Sequence, residues 1–182
     1  MKYHHVAFVM ASSLLFSGCA SITKDSNQPI RVETYNKQDQ LVEDAKCTAK
    51  NERGEWSTKT PGSLVVHRSG QNLEIKCQKD NAESGFAVLV SRANGGMWGN
   101  ILFGGGIGAI VDHNKGTAYS YPDWVKVILG DSLVFDRKNN VDNQIMTGLK
   151  ANGDLLKKIQ EDKAKEEEAA KKAAEAQKAA QQ

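Results

Sequence analysis

Between Pro29 and Cys77 the chain runs in short segments in which apolar and polar residues alternate, separated by turn residues at near-regular spacing. A period of two puts successive side chains on opposite faces, so each segment reads as a strand with one buried face. Pro29-Ile30-Arg31-Val32-Glu33-Thr34-Tyr35 sets Ile30, Val32 and Thr34 against Arg31, Glu33 and Tyr35. Lys46-Cys47-Thr48-Ala49-Lys50 and Glu55-Trp56-Ser57-Thr58 follow, joined across Asn51-Glu52-Arg53-Gly54. Thr60-Pro61-Gly62 is a second turn, because proline presets one central dihedral and glycine accepts a positive one. Leu64-Val65-Val66 and Leu73-Glu74-Ile75-Lys76-Cys77 flank Ser69-Gly70-Gln71-Asn72. Short strands at this spacing predict a mainly β chain built as a small antiparallel β-sandwich.

The first residues have the order of a secretory signal: Lys2, an apolar run from Val6 to Phe16, then the small residues Ser17 and Gly18 before Cys19. The run is too short to span a bilayer. Phe16-Ser17-Gly18-Cys19 resembles the lipobox of bacterial lipoproteins, with Phe16 at the position the family usually gives to Leu. The resemblance implies cleavage before Cys19 and acylation of that cysteine, supplying the several chains that stable membrane attachment requires. Ala20 rather than Asp follows, which in that family implies the outer membrane.

Residues 1–18 are thus expected to be a signal peptide and residues 19–28 a lipidated tether. Loss of Lys2 lowers the formal net charge from +2 to +1, a balance that gives no reason to propose nucleic acid as partner. With Cys19 taken by lipid, Cys47 and Cys77 remain as an even pair in an oxidising compartment, which favours a disulfide. A reactive or metal-binding thiol pair is the rival reading, but the spacing is not CxxC and no histidines cluster nearby. Closing a loop of this length stabilises the fold by roughly 3 to 4 kcal/mol on the chain-entropy model.

The stretch from Ala45 to Gln78 is similar to PEGA-type repeats and related prealbumin-like β-modules, in which a Thr-Pro turn precedes a strand. That resemblance implies a fold and no reaction. The domain is expected over residues 29–136, with an apolar Gly-rich insert at 95–111. In the insert Gly96, Asn100, Gly104 and Gly108 recur every four residues. On a helix they would form a flat stripe along which another backbone can approach, as between membrane helices. One reading is therefore a membrane-inserting or self-associating hairpin; the favoured one is an apolar helix or loop packed on the β-domain. Seven glycines in this insert make a poor helix in water, at about 1 kcal/mol each relative to alanine. Trp98-Gly99-Asn100-Ile101, the glycine run, Val111-Asp112 and Gly116 through Tyr121-Pro122, together with the lipobox and cysteine pair, resemble a family of uncharacterised bacterial lipoproteins.

Residues 137–182 turn to Ala, Lys, Glu and Gln and are expected to be a helical tail, with a short apolar face of Leu149, Leu155, Leu156 and Ile159. Glu161 with Lys165, Glu167 with Lys171 and Glu168 with Lys172 stand at i and i+4 in the favoured order. A solvated helix is favoured over a strong coiled coil, and it would suit an arm toward peptidoglycan or another partner. His67 and His113 are too far apart in sequence to suggest a metal site, and Asp112-His113 alone is a weak acid–base signal. No hydrolase elbow, zinc-protease or phosphate-loop motif is present. The expected function is a non-catalytic, lipid-anchored outer-membrane protein acting as a structural or protein-interaction module without a cofactor. The alternative is a membrane-active or oligomer-forming lipoprotein acting through the Gly-rich segment.

Overall fold

A computed structural model describes residues 26–93 and 117–180. Cys19, the signal segment, the stripe Gly96, Asn100, Gly104 and Gly108, and Asp112-His113 lie outside them. The described chain is mainly β, with thirteen strands and one α-helix. In order the strands are β1 (Asn27–Tyr35), β2 (Leu41–Val42), β3 (Lys46–Asn51), β4 (Gly54–Lys59), β5 (Gly62–His67), β6 (Leu73–Gln78), β7 (Gly85–Val90) and β8 (Arg92–Ala93). Then come β9 (Tyr119–Ser120), β10 (Trp124–Ile128), β11 (Ser132–Asp136), β12 (Met146–Thr147), β13 (Leu149–Lys150) and α1 (Gly153–Ala180).

One sheet runs β12-β10-β1, with β5 and β2 sharing the far edge of β1; the other runs β13-β11-β7-β6-β3-β4. The alternation read in the sequence is the alternation of burial. Ile30, Val32, Leu64, Val66, Val125 and Val127 of the first sheet form one core cluster with Cys47, Ala49, Leu73, Ile75, Cys77, Ala87, Leu89, Leu133 and Phe135 of the second. Cys47 and Cys77 face each other across β3 and β6 and are joined by a disulfide inside this core. The chain changes sheet between β4 and β5 at the cis Thr60-Pro61 bond, where the Thr60 hydroxyl lies 2.6 Å from that of Thr34.

Three departures from the expected layout have physical reasons. The sheets are mixed rather than antiparallel throughout, since β1–β10, β10–β12 and β7–β11 pair in parallel. Short turns force antiparallel hairpins such as β3–β4, but β10 and β11 follow a long connection that leaves their direction free. Alternation fixes which face is buried, not which way a partner runs. The first strand also starts at Asn27, inside the expected tether, because the Gln28 side chain is buried and bonded to Tyr121 on both sides of its amide.

The third departure concerns the tail: residues 137–152 are not helical but carry a 3-10 turn (Arg137–Asn139) and strands β12 and β13. Helix α1 begins only at Gly153, where the Asn152 side chain accepts a hydrogen bond from the Leu155 N–H at 2.7 Å, an N-terminal cap. Leu149 is therefore exposed on β13 instead of lining the helix. Two glycines serve the β10–β11 passage between the sheets, one in the turn and one packed against it. Gly130, between β10 and β11, has φ of +81°, and a Cβ at Gly85 would stand 2.6 Å from the Ile128 carbonyl oxygen.

Candidate functional site

The Gly-rich segment leaves and rejoins the fold through a two-strand stem, in which Arg92 pairs with Ser120 and Ala93 with Tyr119. The residues around this stem form the most elaborate polar cluster in the described chain. Arg92 is 6% exposed and its guanidinium grips Asp136 bidentately, Nε to Oδ1 at 2.9 Å and Nη2 to Oδ2 at 2.6 Å. Its remaining nitrogen reaches Glu166 of α1 at 3.0 Å. One side chain thus ties together the stem, the end of β11 and the helix.

The Asp136 hydrogen bonds and charge hold the Arg92 guanidinium firmly in its charged form. Burial alone would push the Asp136 carboxyl up, but the bonds from Arg92 and from the Lys138 backbone N–H hold it below the usual carboxylate value. Such a pair gives little net stability when intact, yet losing one member strands the other in a poorly solvated place, at roughly 3 to 5 kcal/mol.

The return limb after the stem is fixed by Tyr121, which is fully buried. Its hydroxyl donates to the Gln71 carbonyl oxygen at 2.8 Å and accepts from the Asn51 side-chain amide at 3.0 Å. Burial pushes the phenol up to about 12, so it stays protonated across the physiological range. Its neighbour Tyr119 lies over Gly70, where a Cβ would come within 3.1 Å of the ring. Burial, followed by the negative charge of Glu167, raises the Tyr119 phenol as well.

Helix α1 closes the cluster from outside. Ile159 packs on Val90 and Val134, with Leu155 beside it, on the outer face of the second sheet. Lys163 donates to the Gly70 carbonyl at 2.9 Å and to the Asn72 side-chain oxygen at 3.3 Å, and its burial, then the nearby Arg92 charge, lowers its pKa. Leu155, Ile159, Lys163 and Glu166 recur at helical spacing, so one stripe of the first half of the helix makes these contacts. Between this stripe and the 137–149 segment lies a groove of about 490 Å³, lined among others by Val141, Ile145, Met146 and Leu149.

Among the residues singled out from sequence, the described structure joins Cys47 with Cys77 in a disulfide and Glu168 with Lys172 in an ion pair at 2.6 Å on the helix surface. His67 bonds its own neighbour, with Nδ1 3.0 Å from the Arg68 carbonyl oxygen. Among the described residues no three His, Cys, Asp or Glu side chains are grouped to hold a metal ion, and no helix is long and apolar enough to cross a membrane. Arg92, Asp136, Tyr121 and Lys163 were not legible as a set, since Arg92 and Asp136 stand 44 residues apart. A lone arginine beside a Gly-rich run was the one local hint. The polar groups of the cluster bond one another and the backbone, an arrangement that fixes the position of the stem and the helix. Compared with protein-family models, with curated proteins and with solved structures, the chain matches none.

Proposed function

We propose that this protein is a lipid-anchored component of the bacterial outer membrane, without a catalytic role, whose β-domain is a structural or protein-interaction module. The observation that carries the reading is Cys19 directly behind Phe16-Ser17-Gly18, so close to the start of β1 at Asn27. Residues 20–26 reach at most about 25 Å when extended, which holds the domain near the lipid surface. The buried Cys47–Cys77 disulfide supports an oxidising compartment. The core enclosed by two sheets supports reading the domain as a sandwich, of the kind used as an interaction module. Partners of this class are an envelope protein or peptidoglycan, with the part of α1 beyond Glu166 as an arm of about 21 Å at 1.5 Å per residue.

A second reading places the function in the Gly-rich segment, acting in the bilayer or in self-association. The stem favours it to this extent: Arg92-Ala93 and Tyr119-Ser120, which flank the segment in sequence, pair with each other, and Arg92 ties them to the helix. Cell fractionation of Cys19→Ser separates the two. The first reading requires variant protein freed of residues 1–18 to leave the membrane fraction and become soluble. Retention in the membrane would refute the anchor and favour the Gly-rich segment, while turnover of a cell-wall or lipid substrate by the purified protein would refute the non-catalytic role.

A further inference from the structure

We propose that the outer face of the first sheet is the surface this protein lays against the lipid bilayer that holds its anchor. The inference rests on the anchor at Cys19 and adds which side of the β-domain meets the headgroups. Register puts Arg31 and Tyr35 of β1, Trp124 and Lys126 of β10, Val65 of β5 and Leu41 of β2 on that face. Helix α1 packs on the outer face of the second sheet and so leaves this one bare. Val65 is 58% exposed and Leu41 43%.

The chemistry of the face is that of a boundary between hydrocarbon and water. The Arg31 guanidinium lies 4.1 Å from the centre of the Trp124 ring, and the Lys126 ammonium 4.4 Å from that of Tyr35. Each pair joins an apolar body to a cationic head, so rings and methylene stems can lie at the rim of the apolar layer while the cations reach phosphate. The carboxylates here are already matched. Glu33 is paired with Arg31 at 2.8 Å and accepts from the Tyr35 hydroxyl at 3.0 Å, and Asp39 is paired with Lys126. On the outer face of the second sheet, by contrast, Lys50, Glu55, Glu74 and Lys76 are exposed, charges of both signs that are best left in water.

Shape and tether select the bilayer as the occupant. Val65 stands opposite Pro29 and Leu41 opposite Tyr35, so the two exposed aliphatic side chains are set about 20 Å apart along β1, at about 3.3 Å per residue. An extended flat surface touches both at once, and a small ligand does not. Residues 20–26 reach at most about 25 Å and enter the domain at Asn27, on a strand of this same sheet. The anchor therefore keeps the face within reach of the headgroups, and an intramolecular contact of this kind forms even where its intrinsic affinity is slight.

The test uses the full-length lipidated protein, carrying one nitroxide spin label and reconstituted in vesicles of phosphatidylethanolamine with a minority of phosphatidylglycerol. Flotation with the vesicles reads the anchor, and the access of oxygen to the label relative to a water-soluble nickel complex reads the face. A label at Ser63→Cys, exposed opposite Arg31, should show an oxygen-to-nickel ratio about threefold above that of a label at Glu74→Cys on the second sheet. Leu41→Glu combined with Val65→Glu, both at exposed positions, should bring the Ser63 ratio down to the Glu74 value, with flotation and the circular dichroism spectrum unchanged. Three results would each overturn the proposal: equal ratios at the two sites in floating protein, a Ser63 ratio indifferent to the two glutamates, or strong coupling between Ser63 labels of neighbouring molecules, which marks a second copy on this face. Protein that fails to float overturns the anchor itself, and this orientation with it.

Discussion

Replacing Arg92 with methionine keeps the length of the side chain and removes its charge, leaving the Asp136 carboxylate, whose side chain is 13% exposed, with one bond from the Lys138 N–H at 3.0 Å. Glu166 loses its partner as well, but it is 42% exposed and water replaces the guanidinium there. The cost should therefore come from Asp136 and amount to about 3 to 5 kcal/mol at pH 7, a large share of the stability of a domain this size. In wild type the Asp136 pKa is depressed on folding. Its contribution is present above the unfolded carboxylate pKa and is lost as pH falls through the lower folded value. In Arg92→Met burial is opposed only by the Lys138 bond and charge, so that pKa rises from its wild-type value and the penalty shrinks as the carboxyl takes up a proton. Urea unfolding followed by tryptophan fluorescence at pH 7 and at about pH 4 should show the gap between the two proteins narrowing toward acid. Adding Asp136→Asn to Arg92→Met should recover about 2 kcal/mol at pH 7. A cost under about 1 kcal/mol, or one equal at both pH values, would refute the stranded-carboxylate argument.

Three further perturbations probe the rest of the cluster and the core. Cys47→Ala with Cys77→Ala opens a loop spanning 30 positions and should lower unfolding stability by about 3 to 4 kcal/mol in urea titrations; a change below 1 kcal/mol would count against the entropic reasoning. Ile159→Ala removes the apolar side chain that α1 sets between Val90 and Val134, so amides of the first helical turns should exchange with deuterium at least tenfold faster, at a cost of about 2 kcal/mol. Exchange unchanged there would mean the helix is held by Arg92 and Lys163 alone. Tyr121→Phe leaves the Gln71 carbonyl without its donor and should cost about 1 to 2 kcal/mol, with no change between pH 6 and pH 9 because the phenol ionises only near 12. A stability difference that varies over that interval would contradict the assignment.

The parts of the fold that alternate in sequence were legible, and the parts that do not were not. Ile30, Val32 and Thr34 are buried as their spacing requires, and Cys47 and Cys77 meet because β3 and β6 are neighbouring strands of one sheet. By contrast Gly85–Val90 shows no clean alternation, because the end of β7 is buried on both faces: Leu89 points into the core and Val90 lies under Ile159 of the helix. A strand covered on both sides reads as a plain apolar run, and no period of two marks it. Strand direction was equally invisible, since the parallel β1–β10 pairing depends on where a distant segment returns. For the helix, composition placed the start near residue 137, but the cap at Asn152 decides it, and the apolar residues before that cap serve strands and the groove instead. The stem cluster was hidden for a related reason: Arg92, Asp136 and Glu166 come from three elements that only the tertiary fold unites.

Intact mass spectrometry of the protein extracted from membranes bears most directly on the proposed lipid anchor at Cys19. The expected mass lacks residues 1–18 and carries acyl chains, with a gain of about two daltons on reduction of the Cys47–Cys77 disulfide. A chain that retains residues 1–18, or one cut elsewhere without lipid, would contradict it.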